Sequence, residues 1–257
     1  MKHAVRVLIT VLAIVAAGDL GAQQQPVPSN PVRVLSSNGV KAVLDELLPQ
    51  FERANKQKLA VEFGTTASIK QRVEKGEAFD VVIVTSEAVD DLIKAGKATR
   101  ATRTDLARSG IGVGVRKGAP KPDIRTPDAL KRTLLNSKAL TYAQDGASRP
   151  HIDRMIERLG IAENMKPRIA LTQGSARGLA NLAAGQGELA MTLISEILPV
   201  DGVELLGPLP AEFQNYVSFA AAVSPDAKNA EAGRALVKFL TGPVVAPVYK
   251  AKGMEPR

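Results

Sequence analysis

From residue 31 onward, short apolar runs alternate with stretches in which apolar residues recur at helical spacing. The first run is Val32-Arg33-Val34-Leu35, followed by Ser36-Ser37-Asn38-Gly39. Beyond it Ala42, Val43, Leu44, Leu47, Leu48 and Phe51 share one helical stripe, which predicts a helix over 42–51. The second run is Leu59-Ala60-Val61-Glu62-Phe63, followed by Gly64-Thr65-Thr66-Ala67-Ser68 and a helix over 69–75 that Gly76 ends. Asp80-Val81-Val82-Ile83-Val84 is almost wholly apolar, the pattern of a parallel strand buried on both faces. A helix over 87–95 then stops at Gly96. This βαβαβα order predicts an open parallel sheet covered by helices.

The second half repeats that order. Gly110-Ile111-Gly112-Val113-Gly114-Val115 reads as a strand passing from one lobe to another. It is no phosphate loop, because no helix follows and Arg116-Lys117-Gly118-Ala119-Pro120 turns away. Thr126-Pro127-Asp128 caps a helix to about 135, and a strand over 139–142 leads into Gln144-Asp145-Gly146-Ala147-Ser148-Arg149-Pro150. A helix over 152–159 closes at Gly160. A strand over 168–171 runs into Thr172-Gln173-Gly174-Ser175, and a helix over 176–184 ends at Gly185. Strands over 189–194, 203–206 and 216–223 follow, the last returning the chain to the first lobe, then helices over 230–240 and 244–250.

Small hydroxyl-rich loops therefore sit where strands end and helices begin. There, side-chain hydroxyls and unpaired backbone N–H groups come together, which suits an anion. In open sheets of this kind ligands bind at the carboxyl ends of the strands.

Composition narrows the chemistry. The 257 residues are 45% apolar, enough for one large domain or two lobes. Aromatics make up 4% and Trp is absent, which argues against an aromatic platform for sugars or bases. The net charge is +8, yet Lys and Arg are scattered, so no nucleic-acid stripe stands out. With no cysteine there is no disulfide, thiol catalysis or thiolate metal site. The only histidines are His3 and His151, so a Ser-His-Asp or multi-histidine metal site rests on His151 alone. No serine stands in a GxSxG elbow. The expectation is no enzyme, no catalytic residue, no metal and no cofactor.

Met1-Lys2-His3-Ala4-Val5-Arg6 is a basic start, and 7–17 is apolar and too short for a comfortable membrane span. Small residues follow, then Gln23-Gln24-Gln25. Residues 1–22 are expected to be a cleavable signal peptide, with cleavage after Ala17 or Ala22, and 23–31 a flexible lead-in. The mature protein is expected to be periplasmic.

Several stretches together carry a family resemblance: 34–44 with its loop; Phe63-Gly64-Thr65-Thr66-Ala67-Ser68; Gly76-Glu77-Ala78-Phe79-Asp80-Val81; 180–188; Ser195-Glu196; Phe239-Leu240-Thr241-Gly242-Pro243; and Tyr249-Lys250-Ala251-Lys252-Gly253-Met254. In order and spacing they resemble the periplasmic molybdate-binding proteins, among the two-lobed solute-binding subunits of ABC importers. The resemblance implies an α/β fold of two lobes, each a mostly parallel sheet flanked by helices, joined by two hinge crossovers. Lobe one would be 32–111 plus 219–257 and lobe two 112–218. It implies capture of a small anion, a molybdate-like tetrahedral oxyanion, between the lobes and delivery to an ABC permease at the inner membrane. The chain is expected to act as a monomer.

Residue by residue, the resemblance places a ligand hydroxyl at Thr66 and falls on Gly39 where the family has a serine. Ser37 or Asn38 would then supply the first-loop contact. Ala147 and Ser148 match the loop whose backbone approaches the anion, and Ser175 matches a backbone donor at a helix start. The family's tyrosine falls at Leu193, so that hydroxyl is lost. Arg149 adds a guanidinium beside Ser148, and such a fork takes a carboxylate well. A small organic carboxylate is therefore the alternative ligand, and an exported hydrolase or a sensor-type binding module the alternative roles. Ser37, Asn38 and Thr66 also suit helix capping, which is compatible with ligand contact. His151 is expected to be exposed at a helix start, Tyr142 and Tyr216 to pack on strands, Asp80 to order its loop, and Glu196 to be structural.

Overall fold

The computed structural model describes residues 30–257, so the expected signal peptide and residues 23–29 of the lead-in lie outside the described residues. The chain opens with β1 (Val32–Ser37), a 3-10 turn over Asn38–Val40 and α1 (Lys41–Asn55). Next come β2 (Leu59–Gly64), α2 (Thr66–Glu74), β3 (Val81–Thr85), α3 (Ser86–Lys94) and a long β4 (Thr104–Arg116). The middle contains α4 (Pro127–Asn136), β5 (Leu140–Ala143), α5 (Arg149–Arg158), α6 (Ala162–Met165), β6 (Ile169–Thr172), α7 (Ser175–Ala183), β7 (Leu189–Leu193) and α8 (Ile194–Ile197). The chain finishes with β8 (Val203–Pro208), β9 (Tyr216–Val223), α9 (Ala230–Phe239), α10 (Ala246–Ala251) and β10 (Met254–Pro256).

The strands form one sheet in the order β2-β1-β3-β9-β4-β7-β5-β6, with β8 and β10 also on β4. Its two wings are parallel: β1 with β2 and β3, and β5 with β6 and β7. The centre is antiparallel, because β9 runs against both β3 and β4. This revises the purely parallel order that the opening βα units suggest. The two strands that link the wings traverse the sheet in opposite directions.

Strand β4 joins the wings. Its first part, 104–110, pairs with β9, and its second part, 111–115, pairs with β7. The glycines of this strand let elements pack close. A Cβ at Gly112 would sit 2.8 Å from Ile194 and 2.9 Å from Leu205, so α8 and β8 reach the strand only because a side chain is missing there.

One apolar core runs through both wings, from Val34, Leu44 and Phe51 through Phe219 and Ile111 to Leu130, Ile152 and Met191. A second layer, with Ile69, Val82 and Leu92, covers the other face of the first wing. Five consecutive buried residues in β3 explain its continuous apolar run. Three short elements carried no periodicity to read: α6, β10 and α8. Of these α8 matters most, because the chain leaves the strand at Leu193 and coils at once, where the apolar run predicted strand through 194.

Candidate functional site

The carboxyl ends of β1, β2, β5, β6 and β7 open onto one narrow cleft. It is lined by Ser37, Asn38, Gly39, Thr65 and Thr66 from the first wing and by Gly146, Ala147, Ser148, Ser175, Leu193 and Glu196 from the second, with Phe219 at its base. Its free volume is about 20 Å³, room for about one water.

The first wall is tied together locally. Ser37 precedes the 3-10 turn, and its Oγ accepts from Gly39 N at 3.3 Å and from Thr66 Oγ1 at 3.4 Å. A hydroxyl accepts twice and donates once, so the Ser37 proton is left for a third partner. Thr65, not Thr66, caps α2, its Oγ1 accepting from Ser68 N at 3.2 Å. Thr66 is the first residue of that helix.

The second wall is built by distant residues. Ser148 is buried before α5, and its hydroxyl makes no capping bond. Ser175 opens α7 after Gly174, and its hydroxyl donates to Glu196 Oε1 at 2.6 Å. Having given its one proton away, Ser175 can offer an anion only its backbone N–H. Thr192 Oγ1 donates to the other carboxyl oxygen of Glu196. Burial pushes the Glu196 pKa up, and the bonds from Ser175, Thr192 and the Leu193 backbone oppose that without cancelling it. Beside the structural part expected of it, holding Ser175 and Thr192, Glu196 also lines the cleft, and its place just beyond an apolar strand matches that of the hydroxyl loops.

Two further contacts cross the cleft. Thr65 Oγ1 donates to Asp145 Oδ2 at 3.0 Å, and Asp145 Oδ1 accepts from Gly174 N at 3.2 Å. Ser195 Oγ donates to Gly39 O at 2.8 Å in a buried position. These bonds hold the walls together, and residue pattern alone did not announce them.

The structure thus brings Ser37, Asn38, Thr66, Ala147, Ser148 and Ser175 to one cleft, but not Arg149. Arg149 Nε binds Asp153 Oδ2 at 3.2 Å, one helical turn away, and Nη1 binds Gln144 O at 2.6 Å. Its side chain lines a separate surface hollow with Tyr142 and Asp153. Gly39 is small for a steric reason: a Cβ there would lie 2.3 Å from Phe219 Cζ and 3.1 Å from Leu193 Cδ1. Phe219 and Leu193 together form an apolar floor.

Other residues fall into place around this core. Asp80 is buried and accepts from Arg33 N at 2.8 Å, Asn229 N at 2.9 Å and Asn229 Nδ2 at 3.1 Å. Burial works to raise its pKa, but those bonds win and the net shift is downward. The Tyr142 hydroxyl donates to Asp153 at 2.6 Å, while Tyr216 is exposed with Arg108 over its ring at 4.2 Å. His151 is less exposed than expected: its Nδ1 is buried without a partner, and burial lowers its pKa. Among the described residues no three acidic or histidine side chains cluster as a metal site would require, and no helix is long and apolar enough to cross a membrane.

Comparison with known proteins agrees with this architecture. The family model for bacterial extracellular solute-binding protein matches residues 32–255. An aconitate isomerase from a Pseudomonas species is 30% identical over 235 residues, covering 89% of each chain. The molybdate-binding protein ModA of Azotobacter vinelandii is 24% identical over 230 residues, covering 86% of this chain and 88% of its own. The solved structure of an Azotobacter vinelandii periplasmic molybdate-binding protein superposes with a TM-score of 0.75 at 15% identity, over 87% of this chain and 98% of that one.

Proposed function

This chain belongs to the bacterial extracellular solute-binding protein family, with the two-lobed α/β fold of its structural neighbours, and from that premise we propose that it captures a small anion in the cleft between its wings and hands it to an ABC importer. The observation that carries the reading is the convergence of Ser37, Thr66, Ser148 and Ser175, from both wings, on one enclosed space. Backbone N–H groups at the start of α7 and the free proton of Ser37 suit an acceptor-rich ligand. Entry requires the walls to part, since the closed cleft holds about 20 Å³. The lobes would divide at 32–111 plus 219–257 and at 112–218, hinging on β4 and on the return into β9. Closure is favoured by a ligand that satisfies donors on both walls, as in other hinge-bending binders. The working place proposed is the periplasm, with the first 22 residues as signal peptide and a monomer as the working unit.

For ligand class, the apolar floor of Leu193 and Phe219 favours a small organic carboxylate, whose carbon skeleton gains from such a surface. By the family resemblance, a molybdate site would carry hydroxyls at the positions of Gly39 and Leu193. The aconitate isomerase relative points the same way. A molybdate-like oxyanion is the second reading, favoured by a donor set of neutral hydroxyls and by the ModA relative. An anion at 100 times its dissociation constant stabilises a protein by about 2.7 kcal/mol. A thermal-shift screen of the mature protein should therefore show a rise with small di- or tricarboxylates. A rise confined to molybdate, tungstate or sulfate would overturn the carboxylate reading, and no rise with any anion would overturn capture itself.

A role from another class also has its observation. Glu196 is the one titratable side chain among the cleft-lining residues. Moving a double bond in an unsaturated carboxylate takes a proton from one carbon and returns one to another, which needs such a group. Incubation with cis- or trans-aconitate, followed by proton NMR, separates the roles: conversion establishes isomerase activity, and unchanged substrate leaves binding without chemistry.

A further inference from the structure

Glu196 brings a carboxyl to the wall of a cleft proposed to hold an anion, and no cation is among the described residues that line that cleft. Both of its oxygens are already used, one by Ser175 Oγ and the other by Thr192 Oγ1. The elements packed most closely against α8 are the 38–40 turn, α1, β4, β7, α7 and β8, and the Gly253 turn lies against Ile194. Their charged groups are engaged with others or point to solvent. Lys41 and Asp45 line an adjoining hollow that Glu196 also borders, and they pair with each other at 2.6 Å. Glu46 pairs with Lys252, Arg108 with Glu255, and Glu204 with Lys121. Arg116 and Arg177 are exposed, and the turn and β7 carry no charge. Among the described residues no cation lines the cleft or pairs with Glu196, so an ionised Glu196 would stand beside a bound anion without an ion-pair partner, and two like charges at such range repel strongly in an enclosed site.

We propose that Glu196 is a specificity-determining residue that makes the cleft take its anion together with one proton, shared between the Glu196 carboxyl and an oxygen of the ligand. The proposal rests on the anion-binding reading above. In the closed state the carboxyl is neutral. One oxygen keeps the hydroxyl bond from Ser175 or Thr192, and the acid O–H points at the ligand as a donor. The proton comes from solvent when Glu196 is ionised before binding; no covalent bond other than this O–H forms, and the hydroxyl bond to the protonated oxygen is given up in exchange for the bond to the ligand. A ligand with a free acceptor oxygen at that point fits. One that is forced to place a bare negative oxygen against an ionised carboxylate does not. The upward pull of burial on Glu196 acts in the same sense.

The test is isothermal titration of the anion giving the largest thermal shift, from pH 5 to 9, with the wild type and with Glu196→Gln. Glutamine keeps the size and an acceptor for the hydroxyls but cannot titrate. Relative to Glu196→Gln, the wild type should lose affinity by up to tenfold per pH unit on the alkaline side, with the variant showing only the ligand's own pH dependence. Titration of the ligand itself affects both proteins alike and cancels in the comparison. Binding by the wild type with no pH slope, or with the slope kept in Glu196→Gln, overturns proton coupling while leaving anion capture standing. No binding of any anion overturns capture instead. A ligand-free arm adds an independent check through urea unfolding. With its folded pKa raised, Glu196 contributes stability at low pH that is lost as pH rises through that pKa. The wild type should therefore lose ground to Glu196→Gln as pH increases, and parallel profiles overturn the assignment.

Discussion

The two walls of the cleft are made from the same kind of loop, yet they are finished differently. In the first wall two hydroxyls close their own turns, Ser37 on Gly39 and Thr65 on Ser68, and Thr66 bonds across to Ser37. In the second wall neither helix start is capped by its own side chain. Ser148 makes no capping bond, Gly174 has no side chain to offer, and Ser175 reaches 21 residues on to Glu196. The first wall is thus tied by its own bonds, with only the Ser37 proton left over, whereas the second keeps a Ser148 hydroxyl without a capping bond and a titratable acid at the cleft. The lesson is a division of labour. On the proposed reading, one wall would fix the position of an anion and the other would test which anion it is.

The largest stability effect is expected at the amino end of the first wing's strands, opposite the cleft. Asp80→Ala leaves the buried N–H groups of Arg33 and Asn229 without an acceptor. It should cost about 3 kcal/mol of stability by denaturant unfolding. The pH dependence carries a sign. Because the folded pKa of Asp80 is lowered, its contribution is present above the ordinary value of 3.8 and is lost as pH falls through the folded pKa. The wild type should therefore lose its advantage over Asp80→Asn only in acid below about that value.

A smaller effect is expected at the floor. Gly39→Ala drives a methyl into the Phe219 ring and should cost about 2 kcal/mol of stability. Gly39→Ser, which restores a family-like hydroxyl, should pay the same steric cost and gain no affinity by calorimetry. A gain would show that Phe219 yields and that the first wall is less fixed than described. Thr66→Ala should weaken anion binding by about 1 to 2 kcal/mol through loss of its bond to Ser37 and of a cleft hydroxyl. Unchanged affinity would remove Thr66 from the site. Least of all should come from Arg149→Ala, under about 0.5 kcal/mol, because the guanidinium is held outside the cleft by Asp153 and Gln144. A larger loss confined to carboxylates would place it in the binding wall after all.

The same contrast explains what could be read in advance. Helices and strands with long periodicity, such as α1, β3 and β9, declare themselves by burial on one face or both. The loops at the first wall also declare themselves, because a capping hydroxyl lies within three residues of its partner. The remainder rests on contacts that span the chain. Thr65 meets Asp145 80 residues away, and Ser195 meets Gly39 at a separation of 156. Glu196 depends on α8, a helix of four residues with no period to detect. Arg149 misled for the reverse reason: its neighbour Ser148 faces the cleft, but the first turn of α5 carries the next side chain round towards Asp153.

The central claim is that one anion touches both walls at once. A double-mutant cycle on Ser37→Ala and Ser148→Ala, read by isothermal titration with the anion that shifts melting most, tests it directly. Each single change should weaken binding by about 1 to 2 kcal/mol, and the double should depart from their sum because both hydroxyls address one ligand. If either substitution leaves affinity untouched, the ligand rests on one wall alone and the account is contradicted.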